Sequence, residues 1–372
     1  MVAIAGTAQS FLRDHIKALH EDYDVYLAGN IKDAKEVETL DLTGWKKIDI
    51  ERPISLANDL KAVRQLSSYF KKMKFDAVHS VTPKAGLVCA LAGLMVRVPI
   101  RIHIFTGQVW ATRKGIMRFM LKSFDWLIAK LDTHILVDGK SQKNYLVENG
   151  VFKAEKAIVL GDGSICGVNM EQFTPSVDTR IAVRKELGIV DAKVVFVLMG
   201  RLNKDKGLHE LLPAFNKLAN ENKNAFLLLF GNDEENVSAT FNQYNNLTKE
   251  NFLYYGATRE PQRMFQAGDV FVLPTYREGF GSSVIEAACL GLPTITSDVY
   301  GVLDASVSGK TGLQCKVGDV ESLYACMAEL VDDAEKRKAY GKAGRRRVQE
   351  KFAGTVVIKA WKEFYDKLLT SN

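Results

Sequence analysis

The sequence predicts an α/β protein built from two doubly wound, parallel-sheet domains. Three observations lead there. The chain has 372 residues, more than one ordinary hydrophobic core accommodates. Short apolar runs alternate with longer amphipathic stretches, and this βαβ rhythm occurs twice. Between the two series lies a stretch marked by glycine, from Gly163-Ser164 through Gly167 to Pro175, followed by polar sequence up to Val194.

In the first series the strand-like runs cover residues 2–5, 24–28, 77–80, 100–104, 134–137 and 157–160; in the second they cover 194–199, 225–230, 252–255, 270–273 and 294–296. Several are continuously apolar, the pattern of strands buried on both faces. Helical spacing fills the intervals, as over 208–220 and 283–290, and a last helix over about 355–369 has no strand after it. The expected domains are therefore 1–167, joined by the returning helix 355–369, and 168–354. Ligands of doubly wound sheets sit beyond the carboxyl ends of the strands, so two such domains are expected to face each other across a cleft that holds the chemistry.

Composition narrows the class. With 47% hydrophobic and 25% charged residues the chain packs as a globular protein. No run of about 18 apolar residues is present to span a membrane, and the first residues lack the basic-then-apolar layout of a secretion signal. Cys89, Cys166, Cys289, Cys315 and Cys326 are scattered, without a C-x-x-C pair, and read as reduced thiols of a cytoplasmic protein. The net charge of +6 sits wholly in the first half: residues 1–165 hold 24 Lys+Arg against 18 Asp+Glu, residues 166–372 hold 26 of each, and residues 97–130 carry seven basic residues against the single acid Asp125. Such one-sidedness points to an anionic partner, phosphate or acidic lipid. The excess is modest and no recognition module is visible, which argues against nucleic acid.

Two segments carry chemistry. The run 194–199 ends in Gly200-Arg201-Leu202-Asn203-Lys204-Asp205-Lys206-Gly207. The glycine lets the backbone turn closely, Arg201 offers a planar fork for phosphate oxygens, and Lys206 adds a point charge; a solvated basic loop is the plain alternative. The run 270–273 leads through Pro274 and Thr275 to Glu278-Gly279-Phe280-Gly281-Ser282-Ser283 and then Glu286 within an apolar helix. Amides at Gly281, Ser282 and Ser283 would open that helix and can bind phosphate. Glu278, ahead of the turn, can reach sugar hydroxyls, and Glu286 can accept hydrogen bonds from a ribose diol. A carboxylate among Val284, Ile285, Ala287 and Ala288 needs such a reason.

Arg201 with Lys206, then Glu278-Gly279-Phe280-Gly281 and Glu286 in an E-x7-E frame, resembles glycosyltransferase family 4 over most of the chain. The resemblance implies the GT-B fold and transfer of a sugar from a nucleoside diphosphate with retention of anomeric configuration. It implies that Arg201 and Lys206 hold the donor diphosphate, that Glu278 contacts the donor sugar, that Gly279, Phe280, Gly281, Ser282 and Ser283 line the phosphates, and that Glu286 binds the ribose. Gly231, in Phe230-Gly231-Asn232, and Gly256, in Tyr255-Gly256-Ala257, fall where the family has turns flanking the nucleotide.

The first half departs further from the pattern. The family's small-residue loop after strand one is here Gly6-Thr7-Ala8-Gln9-Ser10-Phe11, with one glycine. Its reaction-centre histidine corresponds either to His103 or, by register, to Thr106, with a buried, hydrogen-bonded strand histidine as the alternative for His103; Gly107 and Gln108 beside them are candidate contacts. The segments 103–115 and 160–169 are similar to the bacterial branch that assembles surface polysaccharides and lipid-linked glycans. That implies a UDP-sugar donor, an N-acetylhexosamine (GalNAc or GlcNAc) first among the choices, and a polyprenyl-diphosphate-linked saccharide as acceptor.

No metal site is evident, since the D-x-D triplet Asp22-Tyr23-Asp24 falls at a helix-to-strand boundary. No cofactor is expected beyond the donor, with Arg201 and Lys206 supplying charge that a metal supplies elsewhere. Residues 110–131 interleave Arg113, Lys114, Arg118, Lys122 and Lys130 with Ile116, Phe119, Trp126 and other apolar residues. An amphipathic helix of this kind suits an acidic membrane surface, placing the protein peripherally on the inner face of the plasma membrane; a core-packing helix with a solvated basic face is the alternative. Rival functions are a UDP-N-acetylglucosamine 2-epimerase on the same architecture and a non-catalytic nucleotide-sugar binder.

Overall fold

The structure, a computed structural model, describes residues 5–50 and 55–370. It divides into two compact units: Met1–Gly167 with Gly354–Asn372, and Val168–Ala353. Apart from Ala5, the strand expected over residues 2–5 lies outside the described residues. Ala5 opens a helix, Ala5–Phe11, so the segment read as a loop from Gly6 to Phe11 is helical.

The first unit contains a two-stranded parallel sheet, β1 (Tyr26–Gly29) with β2 (Gly44–Lys47), and a four-stranded parallel sheet in the order β3 (Ala77–Val81), β4 (Ile100–Phe105), β5 (His134–Val137), β6 (Ala157–Val159). Side chains alternate across β4: Ile100, Ile102 and Ile104 enter one core together with Val357 and Trp361 of the returning helix Gly354–Thr370, while Phe105 packs on the opposite side with Trp110 and Ile128. His103 therefore lies on the Phe105 face.

The second unit is a single six-stranded parallel sheet. Its strands are β7 (Val194–Met199), β8 (Ala225–Phe230), β9 (Phe252–Gly256), β10 (Val270–Leu273), β11 (Thr294–Ser297) and β12 (Gly312–Cys315), in the order β12-β11-β10-β7-β8-β9. Along β7, Val195 and Val197 join one core and Phe196 and Leu198 the other. This double burial is why the strand reads as an unbroken apolar run. Asp269, just before β10, accepts hydrogen bonds from Val195 N (2.8 Å), Arg180 and Arg184 (2.6 Å each), tying the helix Val177–Glu186 to the sheet.

Candidate active site

In the second unit the chain runs outward from β7 through β8 to β9, then begins again on the other side of β7 with β10, β11 and β12. That reversal makes the carboxyl ends of β7 and β10 the topological switch point, the place at which doubly wound sheets bind ligands. The two chemistry-bearing segments of the sequence leave these two strand ends.

After β7, a short turn over Lys204–Lys206 leads through Gly207 into the helix Leu208–Glu221. Gly207 has φ +71°, and a Cβ there would stand 1.9 Å from Pro274 O, so the turn presses directly on the exit of β10. Asp205 seals the contact. Its carbonyl accepts from Tyr276 N and Thr275 Oγ1, both at 2.8 Å, and its carboxylate accepts from Arg277 Nε (2.9 Å) and Nη2 (2.8 Å). The zipped loops bring the ammonium of Lys206 into contact with the carboxylate of Glu278, each side chain 16% exposed. Arg201 is more open and turns to another acid, Glu234, at 3.0 Å; Asn203 Nδ2 donates to the same carboxylate at 3.0 Å. Each of the two cations thus holds its own carboxylate.

After β10, Gly281 with φ +85° caps the helix Ser282–Cys289, where a Cβ would come within 3.0 Å of Val302 Cγ1. The first amides of a helix have no partner within it, and Ser282 and Ser283 retain accessible surface. Glu286 sits half-buried in the second turn, and burial pushes its carboxyl up to about 7. Among the described residues its carboxyl has no hydrogen-bond partner, so a ligand's hydroxyls would supply the compensation it lacks. Gly231 and Gly256 follow at β8 and β9. Gly231 has φ +139°, its N donates to Gly256 O at 2.9 Å, and a Cβ on it would fall 1.7 Å from Gly200 O. Gly231 thus lets the loop after β8 close up on the loop after β7.

Four expected contacts are corrected. Phe280 is 2% exposed and packs edge-on against Phe352 at 5.1 Å, so its side chain anchors the loop in the core. His103 is fully buried. Its Nδ1 lies 2.8 Å from Ser80 Oγ, and a Cβ on Gly86 would meet its Cε1 at 2.5 Å. Desolvation lowers its pKa to about 3, which keeps it a neutral core residue without surface to offer a substrate. Gln108 is 1% exposed, and its amide donates to Thr106 O at 2.5 Å, holding its own loop. Thr106 and Gly107, beyond the end of β4, do keep accessible surface. Gly6, in the first turn of its helix, forms no phosphate loop.

Sequence reasoning passed over Glu234, Asp205, Arg277 and a polar knot at the ends of β4 and β5. In that knot Gln142 accepts from Asp138 N at 2.7 Å and donates to Thr106 O at 2.7 Å. Asp138 is 3% exposed, and burial pushes its carboxyl up to about 8. Only the strand-end position of Asp138 was there to be noticed. In the D-x-D triplet, Asp22 pairs with Lys362 and the Tyr23 hydroxyl donates to Asp366. Among the described residues no group of three or more His, Cys, Asp or Glu gathers as metal ligands would.

The basic, apolar segment forms the helix Gly115–Leu131. Ile116 (86% exposed), Met117, Phe119 (73%) and Trp126 stand in solvent with Arg113, Lys114 and Lys130. Arg118 does not belong to this face. Its guanidinium lies 4.9 Å from the Trp110 ring centre and donates to the carbonyls of Trp110 and Ala111 and to Asn149. Trp110, 1% exposed, donates its indole N–H to the buried Asp125 at 2.7 Å. No helix among the described residues is long and apolar enough to cross a membrane.

The family model of the glycosyl transferases group 1 matches residues 179–347. The capsular polysaccharide biosynthesis glycosyltransferase CapM of Staphylococcus aureus is 32% identical over 97% of this chain and 94% of its own length. The UDP-Gal:alpha-D-GlcNAc-diphosphoundecaprenol alpha-1,3-galactosyltransferase of Escherichia coli is 25% identical over 76% of this chain and 73% of its own. Among solved structures, HepE of Anabaena in complex with UDP superposes with a TM-score of 0.80 at 16% identity, covering 98% of each chain. A switch point furnished with Arg201, Lys206, Glu278 and Glu286, and a relative matched nearly end to end, lead to one conclusion: the chain belongs to the group 1 glycosyl transferases and is a GT-B-fold glycosyltransferase.

Proposed function

We propose that the protein is a retaining, UDP-sugar-dependent transferase of bacterial capsular or lipid-linked glycan assembly, acting on a saccharide carried by undecaprenyl diphosphate. The observation that carries the reading is the pairing of Lys206 with Glu278 at the switch point, beside Arg201 and the capped helix Ser282–Cys289. In this reading Arg201, Lys206 and the helix amides hold the diphosphate, Glu278 meets the sugar hydroxyls, and Glu286 accepts from the ribose diol. As the bond from the anomeric carbon to the diphosphate breaks, its electron pair moves onto a phosphate oxygen, where these groups stabilise the developing charge. The acceptor oxygen bonds to the same face of that carbon, and its proton passes to the departing phosphate. The first unit, with Thr106 and Gly107 beyond β4, receives the acceptor.

A lipid-linked acceptor is consistent with the exposed apolar residues of the helix Gly115–Leu131 and their basic neighbours. Cations near an anionic surface contribute about 1 kcal/mol each, which gives reversible, salt-sensitive docking. The donor is an N-acetylhexosamine, GalNAc or GlcNAc, by similarity to the lipid-linked branch, and the Escherichia coli relative, a galactosyltransferase, makes UDP-galactose the competing donor. A panel of UDP-GalNAc, UDP-GlcNAc, UDP-galactose and UDP-glucose, assayed with an undecaprenyl-diphosphate-linked saccharide, tests both points. Transfer from an N-acetylhexosamine donor is expected, transfer from UDP-galactose alone would replace the sugar assignment, and epimerisation of UDP-GlcNAc without transfer would overturn the reading. For the membrane arm, the protein should co-sediment with acidic-lipid vesicles at low salt, and changing Ile116 and Phe119 to Ser with Arg113 and Lys114 to Glu should abolish it. Unaltered sedimentation of that variant would return the helix to a purely structural role.

A further inference from the structure

The loop after β8 holds an acid that no sequence pattern links to the diphosphate. Glu234 lies in Gly231-Asn232-Asp233-Glu234, and its backbone is fixed against the Arg201 loop. Leu202 N donates to Asn232 O at 2.8 Å, and Glu234 N donates to Leu202 O at 3.1 Å. The Asp233 carboxylate accepts from Val237 N (2.8 Å) and Ser238 N (2.9 Å), which closes the turn that follows. From this support the Glu234 carboxylate accepts from Arg201 Nη1 at 3.0 and 3.3 Å and from Asn203 Nδ2 at 3.0 Å, with Asn203 itself 7% exposed.

We propose that Glu234 is a built-in competitor for the Arg201 fork: it occupies the guanidinium when the donor is absent, weakens UDP, and speeds its release after transfer. The inference rests on the reading of Arg201 as a diphosphate ligand. A diphosphate that approaches Arg201 must either displace the carboxylate or bind beside it, and like charges at this range oppose binding in both cases. Arg201 is about half exposed, so the exchange needs a side-chain rotation and no movement of the backbone. The pair at Lys206 is of another kind, because Glu278 is itself assigned to the donor sugar.

Titration calorimetry with UDP and with uridine tests the proposal on four proteins: wild type, Glu234→Gln, Arg201→Ala and the double variant. Gln keeps hydrogen-bonding atoms near Arg201 and Asn203 but removes the charge, and thermal melting of each variant confirms that it folds. UDP affinity should tighten on the order of tenfold in Glu234→Gln, uridine affinity should stay the same, and the gain should disappear in the Arg201→Ala background. Unchanged or weaker UDP binding in Glu234→Gln, or an equal gain for uridine, overturns the role of Glu234. If the wild type binds no UDP at all, the donor reading fails instead.

Discussion

Asp205 and Arg277, one behind β7 and the other behind β10, form an ion pair in which two guanidinium nitrogens converge on one carboxylate oxygen, and it fastens together the loops bearing Lys206 and Glu278. The site is therefore preorganised by a contact outside the ligand-facing groups. Charge-assisted hydrogen bonds are short and strong, and here they hold together the two loops on which an ammonium and a carboxylate meet.

Replacing Arg201 or Lys206 with Ala should lower turnover at least a hundredfold, equivalent to about 2–4 kcal/mol of lost transition-state stabilisation. Circular dichroism should be unaltered, since Arg201 is about half exposed and Lys206 pairs with a carboxylate outside the hydrophobic core. Near-wild-type turnover in both variants would remove the diphosphate assignment.

Glu286→Gln should mainly weaken nucleotide binding, because a ribose contact is similar in ground and transition states. Burial raises the Glu286 carboxyl to about 7, and accepting from both hydroxyls of a diol favours the ionised form. The wild-type advantage over Glu286→Gln in UDP affinity should therefore grow as pH rises through 7. A constant ratio of the two affinities from pH 6 to 8 would detach Glu286 from the ribose.

Asp138 gives a stability signature. Burial holds its folded pKa at about 8, well above the ordinary carboxylate range, so the folded protein binds the proton more tightly than the unfolded chain. Its contribution is fully present below about pH 4 and is lost as pH rises through 8. Melting temperatures of the wild type and Asp138→Asn, compared from pH 5 to 9, should shift in favour of the variant at the alkaline end. Parallel profiles would place the Asp138 charge in a better-solvated setting than its burial indicates.

Activity should persist in excess EDTA, because Arg201 and Lys206 supply positive charge at the leaving group. Loss of activity on chelation and rescue by Mg2+ or Mn2+ would require a metal site instead.

Much of the second unit was legible because its central strands are buried on both faces and therefore read as continuous apolar runs. The ranges 194–199, 225–230 and 270–273 coincide with β7, β8 and β10. Two edge strands, β2 and β12, escaped notice for the converse reason: β2 is Gly-Trp-Lys-Lys with three exposed residues, and half of β12 is only partly buried. Arg201, Lys206, Glu278 and Glu286 stood out through local spacing. Glu234 did not, because its approach to Arg201 is made by the pairing of β7 with β8 across 33 residues of chain. Gln108 and Phe280 read as contacts in the sequence because proximity to a strand end does not tell which way a side chain turns; for His103 the alternative of a buried, hydrogen-bonded strand histidine is the one that the structure bears out. On β4, His103 shares the face of Phe105 and meets the helix Pro83–Met95 at Gly86.

The helix Gly115–Leu131 carries two kinds of residue whose failures would look alike in a cell and different in a tube. Ile116 and Phe119 bury little, so replacing them with polar residues should leave expression level and melting point intact. Trp110, Arg118 and Asp125 knit the helix to the loop beyond β4, and variants there should be lost to proteolysis before any question of activity arises. A glycan defect accompanied by normal abundance would therefore report on the outer residues of this helix, and one accompanied by vanishing protein on the inner.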